Sequence, residues 1–399
     1  MDELLVFGSI VLVVAAGLLL ALLASKVGER FPIPAPGLFL LVAAIASDAY
    51  PRLSDHLTIL EVERIGVVAL IIILFNGGTL VGWRDFRSAA VPIFSIGVFG
   101  TFATAGIVAV AAHYLFGFEW ITAGILGAAL APTDPAVMFS VLGNKEIRGR
   151  TGTILEGESG VNDPVGIALM IGMIELATHA DATFWVVVEE FSVEMTVGLV
   201  VGLLGAAAMR PLLRLPLPDA GLYPLRTLAA AGVIYGIASV AHGSGFLAVF
   251  VAGVALGDAD VPLRDEIERF HTSLASLAEV VVFVALGLTI DVTDLVSSNR
   301  LPEGLAFAAL LALVARPLAV APLLIPVRMG HNERLFVIWG GLRGAVPILL
   351  AAFALLAGVD EADRVYDIVF VVVAFSVIVQ GSSIPWVARR LGIRMTSSL

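Results

Sequence analysis

The sequence predicts an all-α polytopic membrane protein of thirteen transmembrane helices, folded as an inverted repeat of six helices (1–6 and 8–13). Three observations predict it. Of 399 residues, 59% are hydrophobic and 14% charged, and mean hydropathy is +1.00. A soluble chain carries roughly 45–50% apolar and about 25% charged residues. Apolar stretches near the length of about 20 residues that crosses a bilayer recur along the whole chain. Two of them, at corresponding places in the two halves, are interrupted by Pro or Gly beside a charge. This composition excludes a soluble enzyme and a disordered regulator, and the net charge of −11 argues against nucleic acid. With no Cys there are no disulfides or thiolate metal sites, and six His show no zinc-like spacing.

The segments follow in order. Segment 1 is 4–25; no basic stretch precedes it, so it is read as a retained span and not a cleaved leader. Segment 2 (34–48) is short. Segments 3 (61–80) and 4 (88–115) flank Arg84 and Arg87; segments 5 (120–142) and 6 (151–176) flank Lys145, Arg148 and Arg150. Segments 7 (184–213) and 8 (222–241) flank Arg214. Segment 9 (244–257) is short, and segment 10 (264–290) begins at Arg264. Segments 11 (302–327) and 12 (333–357) flank Arg328, and segment 13 (364–388) leads to Arg389, Arg390 and Arg394. Alternate connections hold 17 of the 23 basic residues, including Lys26, Arg30, Arg210, Arg226, Arg269 and Arg334. The other side has Arg52, Arg64, Arg300 and Arg364. Basic loops face the cytoplasm, so the amino terminus is expected outside, the carboxyl terminus inside, and the protein in the plasma membrane.

Segments 1–6 and 8–13 overlay at an offset near 210 residues. Seven steps separate each pair, so the copies are inverted, as in secondary transporters. Segment 5 is broken at Ala131-Pro132-Thr133-Asp134-Pro135, and its partner, segment 12, at Gly340-Gly341-Leu342-Arg343-Gly344-Ala345-Val346-Pro347. Two helices broken at matching depths, each with a charge, point to a midplane ion site. The plainer alternative is a pair of proline kinks. At such a break Asp134 suits exposed amino ends and Arg343 suits exposed carboxyl ends.

Segment 6 carries Glu156, Glu158, Ser159, Asn162 and Asp163. Intramembrane ionisable residues are costly and default to a functional reading. Glu158 and Asn162 are four apart and share a helix face, as do Ser159 and Asp163. Their oxygen ligands suit a hard cation. Asp163 lies mid-span, where a charge demands a partner; a proton and a metal cation competing for it is enough to drive exchange. Its alternative is a fixed ion pair with Arg343 or Arg316. Arg316 needs a buried anion, and Glu158 is the best candidate, a pair that fixes geometry without titrating. Glu156 is placed nearer the cytoplasmic end, in the entry funnel, with a second proton site as its alternative. Glu279 of segment 10 is read as a satisfied polar residue or a second proton site.

These strings resemble the NhaP-like branch of the monovalent cation:proton antiporters, the sodium or potassium/proton exchangers. The resemblance rests on Thr133-Asp134-Pro135, Glu158-Ser159-Gly160-Val161-Asn162-Asp163-Pro164 and Gly341-Leu342-Arg343-Gly344-Ala345-Val346-Pro347. Gly243-Ser244-Gly245-Phe246-Leu247-Ala248, Val251-Ala252-Gly253 and Gly37-Leu38-Phe39-Leu40-Leu41-Val42 fit as well. It implies a dimerisation scaffold from 1–82 and 181–295, and a mobile core from 83–180 and 296–399 that ends in a short cytoplasmic tail. It implies a homodimer in a lipid bilayer, no cofactor, no enzymatic chemistry, and alternating access that couples Na+ or K+ to H+. By resemblance the cation is held by Asp163, Ser159, Glu158 and the Thr133 backbone, while Asn162 positions the glutamate. Asn before the aspartate implies electroneutral one-for-one exchange. The Leu342-Arg343-Gly344-Ala345-Val346-Pro347-Ile348 string leans toward potassium exchangers.

Two departures stand out. Phe75-Asn76-Gly77-Gly78 holds Asn where relatives usually have an acid. Relatives often carry a long cytoplasmic regulatory domain, expected here as a missing part or a separate protein. A cation channel and an organic-anion carrier are the competing functions. The channel fits broken repeat helices less well, and the carboxylates around Arg343 and Arg316 oppose an anion.

Overall fold

The computed structural model describes residues 34–50, 57–142, 145–147, 149–179 and 181–397, with Gly8 and Leu19 ahead of them. The rest of segment 1 lies outside the described residues. α1 (Ala35–Ala49) leads to α2 (Ile59–Phe94). A reciprocal cap starts α2: Thr58 N donates to the Glu61 carboxylate at 2.8 Å, and Glu61 N donates to Thr58 Oγ1 at 3.3 Å.

Segments 3 and 4 are not parted by a loop. α2 runs through both, broken only at Gly82, whose φ of 64° favours glycine. The Asp258 carboxylate sits over this break and accepts from Arg84 N at 2.6 Å, so a distant residue caps the restarted helix. A π-helical turn at Ser95–Gly100 continues into α3 (Thr101–Phe116).

α4 (Trp120–Leu130) and α5 (Ala136–Leu142) are the halves of segment 5. After β1 (Lys145–Ile147) come α6 (Arg150–Thr178), α7 (Phe184–Arg214), α8 (Leu222–Val240), α9 (Gly245–Gly257) and α10 (Arg264–Gly287). The short α11 (Val292–Ser297) precedes α12 (Arg300–Leu310), which passes through a π-helical turn at Leu311–Ala315 into α13 (Arg316–Leu324). α14 (His331–Trp339) and α15 (Ala345–Leu356) are the halves of segment 12. α16 (Ala362–Phe375), a third π-helical turn at Ser376–Gly381 and α17 (Ser382–Leu391) complete segment 13.

Among the described residues the fold is all-helical but for one short two-stranded ribbon. β2 (Met395–Ser397) pairs antiparallel with β1, Ile147 opposite Met395. This ribbon is too short to register as a strand in an apolar sequence. Among the described residues six helical stretches are long and apolar enough to cross a membrane: Ile59–Phe116, Arg150–Thr178, Phe184–Arg214, Arg264–Gly287, Arg300–Leu324 and Ala362–Leu391.

Lipid tails provide little drive for helices to associate, so close backbone approach through small residues matters. α9 is gripped this way from two sides. A Cβ on Gly78 of α2 would lie 2.6 Å from Phe250 O, and one on Gly253 would lie 2.6 Å from Phe75 O. On the α7 side, Gly198 meets Ser244 O at 2.6 Å and Gly202 meets Ala248 O at 2.7 Å by the same measure. α7, α8 and α9, with Phe75 of α2, form a hydrophobic cluster separate from the main core.

Candidate ion site where two broken helices cross

α4 and α5 part where Pro132 and Pro135 withhold amide donors. α14 and α15 part at Gly340–Gly344. The two gaps cross, and Asp134 N donates to Leu342 O at 2.7 Å. Four half-helix ends converge there, each with backbone groups lacking helical partners. Arg343, 1% exposed, donates through Nε to Leu130 O at the carboxyl end of α4 (3.1 Å). Its Nη1 donates to Gly341 O, just past the end of α14 (2.6 Å). Asp134 accepts from Ala136 N at the start of α5 (2.8 Å). Its carboxylate also lies against Gly344, where a Cβ would overlap it, at the start of α15. The cation thus holds two carboxyl ends and the anion two amino ends, matching the partial charges of helix termini.

The third π-helical turn completes the crossing. Ser376 Oγ accepts from Arg343 N at 2.8 Å, and Gln380 Nε2 donates to Trp339 O at 2.7 Å. Neither residue is in the set chosen from sequence. Their signal is two polar residues four apart within the apolar segment 13, on one helix face.

α6 passes beside the crossing. Asn162 Nδ2 donates to Thr133 Oγ1 at 2.7 Å, and Thr133 N donates to Asn162 Oδ1 at 3.3 Å. Both ends of the amide are taken by Thr133. Asn162 therefore anchors the first gap, and the partner that holds Glu158 is Arg316. Arg316 donates from Nη1 and Nη2 to the two Glu158 oxygens at 2.5 and 2.9 Å, with both residues buried. The guanidinium packs on Gly341, where a Cβ would overlap it.

Asp163 differs. It is buried, and its Oδ1 has no hydrogen-bond partner among the described residues. With Ser159 it borders a cavity of about 500 Å³, which Asp134, Glu156, Asn76 and Glu279 also line. Glu158 and Thr133 are not in the lining. Residues of α2, α9 and α10 line it together with residues of α5, α6 and α15. Ser140, Thr272 and Ser276 are exposed at the mouth, toward the face that carries Arg150 and Arg264. At the far end Leu349 fills the space against Gly66, where a Cβ would come within 2.8 Å.

Comparisons with known proteins give the family. A family profile described as sodium/hydrogen exchanger, transmembrane, matches residues 3–390. The chain belongs to this family. Its members are transporters and not enzymes, as the sequence reading expects. The K(+)/H(+) antiporter NhaP of Alkalimonas amylolytica is 35% identical over 389 residues, covering 96% of this chain and 67% of the relative. The K(+)/H(+) antiporter NhaP2 of Shewanella sp. (strain ANA-3) is 34% identical, covering 92% of this chain and 64% of the relative. The chain thus spans about two thirds of the length of these relatives. The Na(+)/H(+) antiporter NhaH of Halobacillus aidingensis is 29% identical, covering 85% and 86%. The solved sodium proton antiporter MjNhaP1 from Methanocaldococcus jannaschii shares the fold, with a TM-score of 0.80 over 99% of both chains at 24% identity.

Proposed function

We propose that this chain is a secondary antiporter exchanging a monovalent cation, Na+ or K+, for H+ by alternating access. The observation that carries the reading is Asp163: a buried carboxylate with one oxygen unpartnered, beside a cavity and next to two crossed helix breaks. A carboxylate in that position takes either a proton or a cation, and a single site that holds one at a time couples their opposite movements. Ser159 supplies a second oxygen on the same face. Glu158 joins the ligand set only by sharing an oxygen with Arg316, and Thr133 only through a shift of the first gap. Charge balance with one such carboxylate gives electroneutral one-for-one exchange. The relatives named for K+ and for Na+ support both cations.

In this reading the chain crosses the plasma membrane thirteen times as an inverted repeat, amino terminus outside and carboxyl terminus cytoplasmic. Residues 1–82 and 181–295 form the scaffold, and 83–180 and 296–399 the moving core. The glycine-packed α2–α9–α7 contact and its separate hydrophobic cluster support a rigid scaffold. The exposed apolar side chains of α7, among them Trp185 and Leu204, support a homodimer face there. The cavity then opens to the cytoplasm, and this conformation faces inward.

Dequenching of a pH gradient in proteoliposomes tests the reading, with Na+, K+, Li+ or choline added in turn. Dequenching by Na+ or K+, unaffected by clamping the voltage and absent in Asp163→Asn, is the expected result. Full activity in Asp163→Asn would overturn it.

A further inference from the structure

Glu279 has no place in the exchange cycle described above, and the scaffold wall of the cavity directs attention to it. Along α10, Thr272, Ser276 and Glu279 follow one another at spacings of four and three, which puts them on a single face. All three line the cavity. Thr272 and Ser276 are exposed at the mouth, and Glu279 lies deeper and half-buried. Beyond it the same wall turns apolar, with Val282 and Phe283 buried. Glu279 is thus the last polar group along α10. Its Oε1 is buried and accepts no hydrogen bond from the described residues. Across the cavity stand Asp134, Glu156, Ser159 and Asp163. The other scaffold helices in the lining, α2 and α9, offer Asn76 and Phe250 and no acid.

We infer that Glu279 draws the cation from the open mouth to Asp163, acting from the scaffold and not from the core. The inference rests on the antiporter reading. An unpaired carboxylate in a water-accessible cleft with apolar walls raises the local cation concentration. Because α10 belongs to the scaffold, Glu279 faces Asp163 across the cavity in this conformation, and a core that moves would leave it behind. Its effect is therefore one-sided: it lowers the KM for cation presented at the cavity mouth and leaves the KM on the opposite face unchanged.

The test is cation-dependent exchange measured separately from each face, in everted and right-side-out vesicles. Glu279→Gln should raise the mouth-side KM about tenfold, the size of one through-space charge interaction, with kcat and the opposite-side KM unchanged. Asn76→Glu added to Glu279→Gln should restore it. The chain contains no Cys, so Glu279→Cys gives one addressable thiol if the Gln variant fails to assemble. A sulfonate label should bring the KM down and an ammonium label should raise it. Equal KM values for the two labels, or a KM shift on both faces, would overturn the inference. Failure of exchange in the unmodified protein would instead overturn the antiporter reading beneath it.

Discussion

Glu158 and Asp163 lie five residues apart on α6, both buried, and the molecule treats them in opposite ways. Glu158 has both oxygens bound by Arg316. Asp163 has an oxygen that no described group meets, beside a cavity. Burial alone therefore does not make a carboxylate available for transport; what decides is whether a fixed cation already answers it. The paired one locks α6 to α13, and the lock holds the open one in place. Removing one half of a buried pair leaves an uncompensated charge, which costs far more than the pair itself contributes.

Four substitutions and one double change break or sharpen this contrast. Asp163→Asn should have the largest effect on transport, reducing exchange in proteoliposomes to the level of empty vesicles, while its thermal unfolding midpoint in detergent stays near that of the unmodified protein. Arg316→Ala should have the largest effect on stability, about 3–5 kcal/mol. Changing Arg316 and Glu158 together to apolar residues should cost less than Arg316→Ala alone, and a double-mutant cycle measures the difference; simple additivity would break the contrast. Asn162→Ala removes both bonds to Thr133 and should cost about 1–3 kcal/mol through stranded polar groups, with slowed exchange. Ser376→Ala removes the acceptor for Arg343 N and should cost about 1 kcal/mol, read as a small fall in the same unfolding midpoint.

Much of this was legible in the sequence because it depends on composition and local pattern. Apolar runs mark where helices form, and the strings at 131–135 and 340–347 mark where they break, since Pro and Gly act on their own backbone. Arg316 and Glu158 could be matched because a buried guanidinium needs an anion. What stayed hidden depends on partners distant in the chain. Asn162 turns to Thr133 and not to Glu158, which follows from how α6 lies against the first gap. Ser376 and Gln380 look like incidental polar residues until the second gap needs their bonds. Gly82 reads as an ordinary glycine near a loop, and only Asp258, 176 positions away by number, makes it a helix joint. The three π-helical turns carry no pattern that hydropathy detects.

The crossing also sets a timetable. The Arg343 Nε that caps Leu130 O is 213 residues further along the chain. At synthesis rates of 5–20 residues per second, roughly 10–40 s separate the two. Through that interval the first half of the molecule holds a severed helix with a bare carbonyl end, and the Asp134 carboxylate has Ala136 N but not yet the start of α15. The nascent chain must be sheltered from lipid, by the insertion machinery or by keeping that segment near water, until Arg343 arrives.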